Sequence, residues 1–156
     1  MTAPAQPSAR TLGAGIVALV LAVAFEGMAV STAMPAAAQD LGQISLYAWA
    51  FSIYTLGMVV SAVIVGRVAD AIGPVKPLAA SYLLFGVGLL LGGLATSMGW
   101  LIAARFLQGL GGGGLNLAMT VVIAHGFDGR RQAMMMSWIS AAWVLPSLVG
   151  PALAAP

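Results

Sequence analysis

The sequence contains no cysteine and a single histidine. Without cysteine there is no disulfide framework, no thiolate nucleophile and no cysteine metal site, so the redox compartment leaves no trace in the chain. His125 stands alone in a polar break with no HExxH partner, and a metal ion would have no second ligand. Charge is scarce as well, at 6% of residues against roughly 25% in a soluble domain. Six basic and four acidic side chains give a formal net charge of +2, too few to form a basic surface, and no nucleic-acid partner is expected. The apolar stretches also lack a nucleophile and base at helical spacing, which argues against a membrane-embedded enzyme.

What fills the chain instead is apolar: 61% of the 156 residues are hydrophobic, with a mean hydropathy of +1.02. A soluble core cannot hide that much apolar surface, since ordinary domains carry only about 45 to 50%. Five runs long enough to cross a hydrocarbon core of roughly 30 Å follow one another, at about residues 12–34, 46–66, 78–96, 100–124 and 133–156. Residues 1–11, rich in Pro, Ala and polar side chains, read as a disordered leader. The expectation is an all-α membrane protein with about five transmembrane helices in one bundle over residues 12–156. A secretory signal peptide fits poorly, because the first run exceeds an ordinary h-region and carries Glu26 in its middle. Tyr47 and Trp49 suit an interfacial belt at the start of the second run. Arg67 to Pro77 and His125 to Gln132 read as loops.

Loop charges set an orientation. Arg10, Arg67, Lys76, Arg130 and Arg131 all fall before helix one or in the loops following even-numbered helices, and the alternate loops hold neither Lys nor Arg. The positive-inside rule then places the amino terminus in the cytoplasm of a multi-pass protein of the cell (inner or plasma) membrane.

Two ionisable residues, Glu26 and Arg105, interrupt the spans, and each costs about 2.5 to 3.5 kcal/mol on insertion scales. Counted from the outer ends of their helices they lie at comparable depth, within reach of one another across a guanidinium arm. A buried acid tuned by a nearby cation can exchange a proton. The alternatives are a static ion pair, or an Arg105 that snorkels to the interface. Gln108, Gly112 and Asn116 follow Arg105 at helical spacing, giving helix four one polar and small face suited to a water-filled cavity. Gly88 with Gly92 and Gly109 with Gly113 have the spacing that lets helix backbones approach closely. Gly111 to Gly114 is no phosphate loop, since it lies within a span and lacks a following Lys-Ser or Lys-Thr. The Met134 to Met136 run reads as packing bulk or a lipid-facing surface.

Several of these segments resemble the major facilitator superfamily. Gly66-Arg67-Val68-Ala69-Asp70-Ala71-Ile72-Gly73-Pro74-Val75-Lys76 resembles its G-x-L-A-D-R-x-G-R-K loop signature between helices two and three, with Ala71 and Pro74 where that signature has basic residues. Arg105-Phe106-Leu107-Gln108-Gly109 matches its R-x-x-Q-G motif in helix four. The helix-five pattern of drug:proton antiporters, G-x8-G-x3-G-P-x2-G-G, falls on Ser137, Pro146, Gly150, Pro151, Ala154 and Ala155, with only Gly150-Pro151 literal. Glu26 through Met34-Pro35 is similar to the acid-then-proline segment of multidrug exporters, with Glu where Asp is usual, and the resemblance as a whole implies the fourteen-helix type.

The resemblance implies the amino-terminal part of a proton-coupled exporter of small amphipathic compounds or drugs. In it Gly66, Arg67, Asp70, Gly73 and Lys76 gate the cytoplasmic side, Glu26, Arg105, Gln108 and Asn116 couple proton to substrate, and Gly150-Pro151 bends helix five. No cofactor is implied, the proton gradient being the driving ion. The partners implied are the lipid bilayer, a small-molecule substrate and the missing carboxy-terminal helices of the same transporter, since such transporters hold substrate between two halves. A chain ending in its fifth helix is expected to be a truncated fragment that does not transport alone. The competing expectation is a non-transporting module that binds the helices of a full-length relative through its glycine faces.

Overall fold

A computed structural model describes the backbone of residues 9–154 and the side chains of residues 14–144. Within that range the chain is helical: α1 (Ala9–Asp40), a single 3₁₀ turn (Ile44–Leu46), α2 (Tyr47–Ile72), α3 (Val75–Gly93), α4 (Met98–Gly126) and α5 (Gly129–Ala154). Among the described residues, four helices are long and apolar enough to cross a membrane. The fifth helix carries its apolar end beyond the described side chains. The expected all-α membrane architecture is the one observed.

The helices outrun the apolar runs that announced them. Hydropathy reports which residues tolerate hydrocarbon, whereas the backbone ladder continues wherever φ and ψ allow. The loop expected from Arg67 to Pro77 is therefore mostly helix: α2 carries Arg67 and Asp70 and stops only at Gly73. There φ turns to +83°, a region that glycine enters without a Cβ penalty, and the Gly73 N–H donates to the Ala69 carbonyl. Pro74 and Val75 at once begin α3. Likewise the break expected from His125 to Gln132 shrinks to Phe127 and Asp128. At the chain start, residues 1–8 of the expected leader lie outside the described residues, and the helix is already formed from Ala9. Pro35, expected beyond helix one, lies inside α1. Its ring removes one rung of the ladder without ending the helix, as happens in membrane-spanning helices where neighbouring groups compensate.

Contacts group the chain into two compact units, Ser31–Val122 and the pair of segments Met1–Val30 with Ile123–Pro156. In the second of these, the buried side chains are Ile16, Val20, Ala24 and Glu26 of α1, Ile123 and Phe127 around the end of α4, and Met135 and Ala142 of α5. The first is built around α4. Of the most apolar 18-residue window of α4, 61% is buried, against 22% for the corresponding windows of the other three spans. Leu56, Val59, Val63 and Ile64 of α2, and Leu83, Val87 and Leu90 of α3, are exposed, as helices facing lipid require.

Glycines explain how α4 holds two neighbours at once. A Cβ built on Gly57 of α2 would lie 2.7 Å from the Phe106 carbonyl oxygen. One on Gly113 of α4 would lie 2.6 Å from the Met58 Cα, and one on Gly109 would strike the Tyr54 carbonyl. The opposite flank meets α3: a Cβ on Gly88 would lie 2.6 Å from the Gln108 backbone nitrogen, and one on Gly111 would lie 2.5 Å from the Phe85 Cα. Gly114 faces the hydroxyls of Ser61 and Ser81, both buried. The Gly109–Gly113 pair thus sits at a backbone-to-backbone contact. Of the Gly88–Gly92 pair only Gly88 does, since Gly92 meets Ala104 at an ordinary 3.9 Å.

The α3–α4 turn is tight. The Ser97 hydroxyl accepts the Trp100 backbone N–H at 3.3 Å, serving as helix cap, and the Trp100 indole Nε1 donates to the Leu91 carbonyl at 2.9 Å.

Candidate functional site

The buried polar cluster of residues 31–122 forms where α2 and α4 touch. Because Gly109 brings α4 against the backbone of Tyr54, the Tyr54 side chain runs along α4, and its hydroxyl oxygen would be 2.9 Å from a Cβ on Gly112. The Arg105 guanidinium carbon lies 4.4 Å from the centroid of the Tyr54 ring, well inside cation–π range. Arg105 Nη1 donates to Gln108 Oε1 at 2.6 Å, a short charge-assisted bond. Arg105 is only 5% exposed and Gln108 only 2%. Arg105 therefore does not snorkel; aromatic and amide groups of the protein take up its charge.

One stripe of α4 carries this arrangement. Arg105, Gln108, Gly109 and Gly112 recur at steps of three and four residues, so they stack on a single helix face. The two charged or polar members bind each other, and the two glycines make the slot for the tyrosine. All four are buried. Asn116, one turn further, is exposed, and its carbonyl accepts the Thr120 hydroxyl at 2.9 Å. The expected polar and small face is thus a closed slot at Arg105 that opens at Asn116.

The structure brings Arg105 and Gln108 together and adds Tyr54, which the reading of the sequence passed over. The signal was present: a tyrosine midway along an apolar span has a hydroxyl that needs company. Glu26 belongs to the other compact unit, where it is buried at 8% exposure.

The residues of the α2–α3 signature gather at one end of those helices. Gly66 lies against Leu117 of α4, Gly73 caps α2, and Arg67, Asp70 and Lys76 are exposed there. Gly150 and Pro151 lie beyond the described side chains. Among the described residues no group of His, Asp and Glu could hold a metal ion.

Multiple spans, a glycine-built core and a buried guanidinium inside one span define a multi-pass α-helical membrane protein. The chain belongs to the Major Facilitator Superfamily, whose sequence pattern matches residues 16–155. Members of this superfamily are transporters rather than enzymes. The chain is 34% identical, over 90% of its length, to an Aspergillus aculeatus protein described as an acurin A biosynthesis cluster MFS-type transporter, covering 25% of that protein. It is 32% identical, over 97% of its length, to the multidrug transporter protein MdtP of Bacillus subtilis, covering 28% of it. It is 30% identical, over 88% of its length, to the multidrug efflux pump SdrM of Staphylococcus aureus, covering 32% of it. The chain thus spans about a quarter to a third of the length of these curated relatives. No solved structure matches it significantly.

Proposed function

We propose that this chain forms the amino-terminal part of a proton-coupled exporter of small amphipathic compounds. The observation that carries the reading is the Arg105 cluster: a permanently charged guanidinium, 5% exposed, held by Tyr54 and Gln108 within a membrane span. Such a group is expensive to keep in hydrocarbon, and the usual return on that cost is an ion or substrate pathway. Two of the relatives named above are multidrug transporters, which supports drug-like cations and neutral amphiphiles as the cargo.

In this reading Glu26 is the proton carrier. Protonated, it is neutral and tolerates a dry site; deprotonated, it offers a charge to a cationic substrate. Arg105 supplies the permanent positive charge of the coupling set. Gln108 accepts one guanidinium N–H, and Asn116 lies where the slot opens. Arg67, Asp70 and Lys76 belong to the cytoplasmic gate, and Gly150-Pro151 to a bend in α5. The proton gradient is the driving force and no cofactor takes part. The remaining helices of the transporter, lipid and the small-molecule substrate are the partners, in the plasma or inner membrane with the amino terminus cytoplasmic.

The test is loss of a fluorescent cationic dye from loaded cells that express the full-length transporter containing this chain, with and without a protonophore, beside Glu26→Gln. Efflux that stops with protonophore and with Glu26→Gln supports the reading. Stable insertion with no efflux of any dye refutes multidrug export and leaves the helix-binding module as the better account.

A further inference from the structure

The α2–α4 contact gives Tyr54 an environment that ordinary packing does not require. Its backbone lies against Gly109, its hydroxyl beside Gly112 and its ring across the Arg105 guanidinium at 4.4 Å. Either glycine, given a side chain, would push the ring or its backbone away: a Cβ on Gly112 would lie 2.9 Å from the hydroxyl, and one on Gly109 3.0 Å from the Tyr54 Cα.

A guanidinium has a flat face and a rim of N–H donors. A carboxylate or amide can bind the rim but leaves the face uncovered. An aromatic face covers it, attracts the charge through the ring quadrupole and uses up no N–H. Tyr54 and Gln108 therefore act on different parts of Arg105. The ring, 4.4 Å from the guanidinium carbon, meets the charge itself, and the Gln108 amide, bonded to Nη1 at 2.6 Å, ties down one N–H of the rim.

We propose that Tyr54 is a positioning residue for Arg105, whose ring quadrupole holds the guanidinium in the orientation that coupling uses. The role rests on the reading of Arg105 as part of the coupling machinery. Gly109 and Gly112 are the residues that make room for it, so α4 contributes both the cation and the socket for the ring that covers it.

A graded series at one position separates quadrupole from shape. In the full-length transporter, Tyr54→Phe is compared with the same substitution made with mono-, di- and trifluorinated phenylalanine, which keeps the ring and drains its negative face, and with Tyr54→Leu. Two quantities are read, dye efflux driven by the proton gradient and thermal melting of the purified protein. Tyr54→Phe should keep efflux within about twofold of wild type, the fluorinated series should fall stepwise, and Tyr54→Leu should lose roughly tenfold or more, the magnitude of a desolvated cation–π contact. Melting should decline in the same order, and the decline should vanish when Arg105→Met is also present. Equal efflux and melting across the fluorinated series would overturn the proposal, as would a fluorine-dependent decline that persists with Arg105→Met. A wild-type protein that moves no dye removes the coupling reading alone, because the melting series still decides whether the ring positions Arg105.

Discussion

Gly113 of α4 rests directly on Met58 of α2, so close that a Cβ added to the glycine would lie 2.6 Å from the Met58 Cα and 2.8 Å from its carbonyl carbon. Nothing flexible stands there to yield. Gly113→Ala is therefore expected to destabilise the protein by about 1 to 3 kcal/mol through overpacking, even though alanine gains about 1 kcal/mol over glycine in helix propensity. Gly86 of α3 has nothing within 4 Å of its would-be Cβ, so Gly86→Ala should be neutral or stabilising by up to about 1 kcal/mol. Thermal melting of the detergent-solubilised protein checks the pair, and opposite signs are the expected result.

Removing the acceptor from the Arg105 cluster should weaken it without unfolding α4. Gln108→Leu keeps the size of the side chain and deletes the 2.6 Å bond to Arg105, a charge-assisted contact of about 1.5 to 3 kcal/mol. We expect lower thermal stability with full helical content by circular dichroism. Arg105→Lys, which keeps the charge but loses the planar fork, should restore neither the stacking on Tyr54 nor the amide bond.

Pro35 leaves one rung of α1 without a donor. Pro35→Ala supplies the missing N–H and removes a ring that costs about 3 kcal/mol in an ordinary helix interior. Amide hydrogen exchange of residues 33–38 should slow in the variant, by about tenfold or more. Unchanged exchange would mean that the surroundings of Pro35 already compensate in full.

Orientation is open to a direct chemical test because the chain has no cysteine of its own. Ala71, near the end of α2, and Thr96, just after α3, are both exposed and flank α3 on its two sides. With the amino terminus in the cytoplasm, Thr96→Cys should react with a membrane-impermeant maleimide in intact cells, and Ala71→Cys only after permeabilisation. The reverse pattern would invert the topology.

Hydropathy made the number and order of the helices legible, because crossing a bilayer demands long apolar runs whatever the neighbours do. Helix ends were harder to read. Arg67 and Asp70 look like loop residues on a hydropathy scale, yet they continue α2, since the ladder ends only where Gly73 turns to positive φ. The glycine spacing marked Gly109 and Gly113 as places of close backbone approach without saying that α2 would be the partner, and spacing cannot tell which glycine of a pair meets backbone; Gly92 does not. Arg105 stood out as a costly residue in a span and Gln108 as part of the polar face that follows it, and the two are bonded. Tyr54 did not stand out, because an aromatic residue in an apolar run looks like bulk. Its value comes from a contact between α2 and α4 that only the packed helices reveal.

The central claim is that the Arg105 cluster links substrate movement to the proton gradient. The most direct measurement is dye accumulation in everted membrane vesicles carrying the full-length transporter, driven by an imposed pH gradient without ATP. Wild type should accumulate dye only while the gradient lasts, and Arg105→Lys should insert normally yet lose at least about tenfold in rate. Gradient-driven accumulation that survives Arg105→Lys at the wild-type rate would contradict the account.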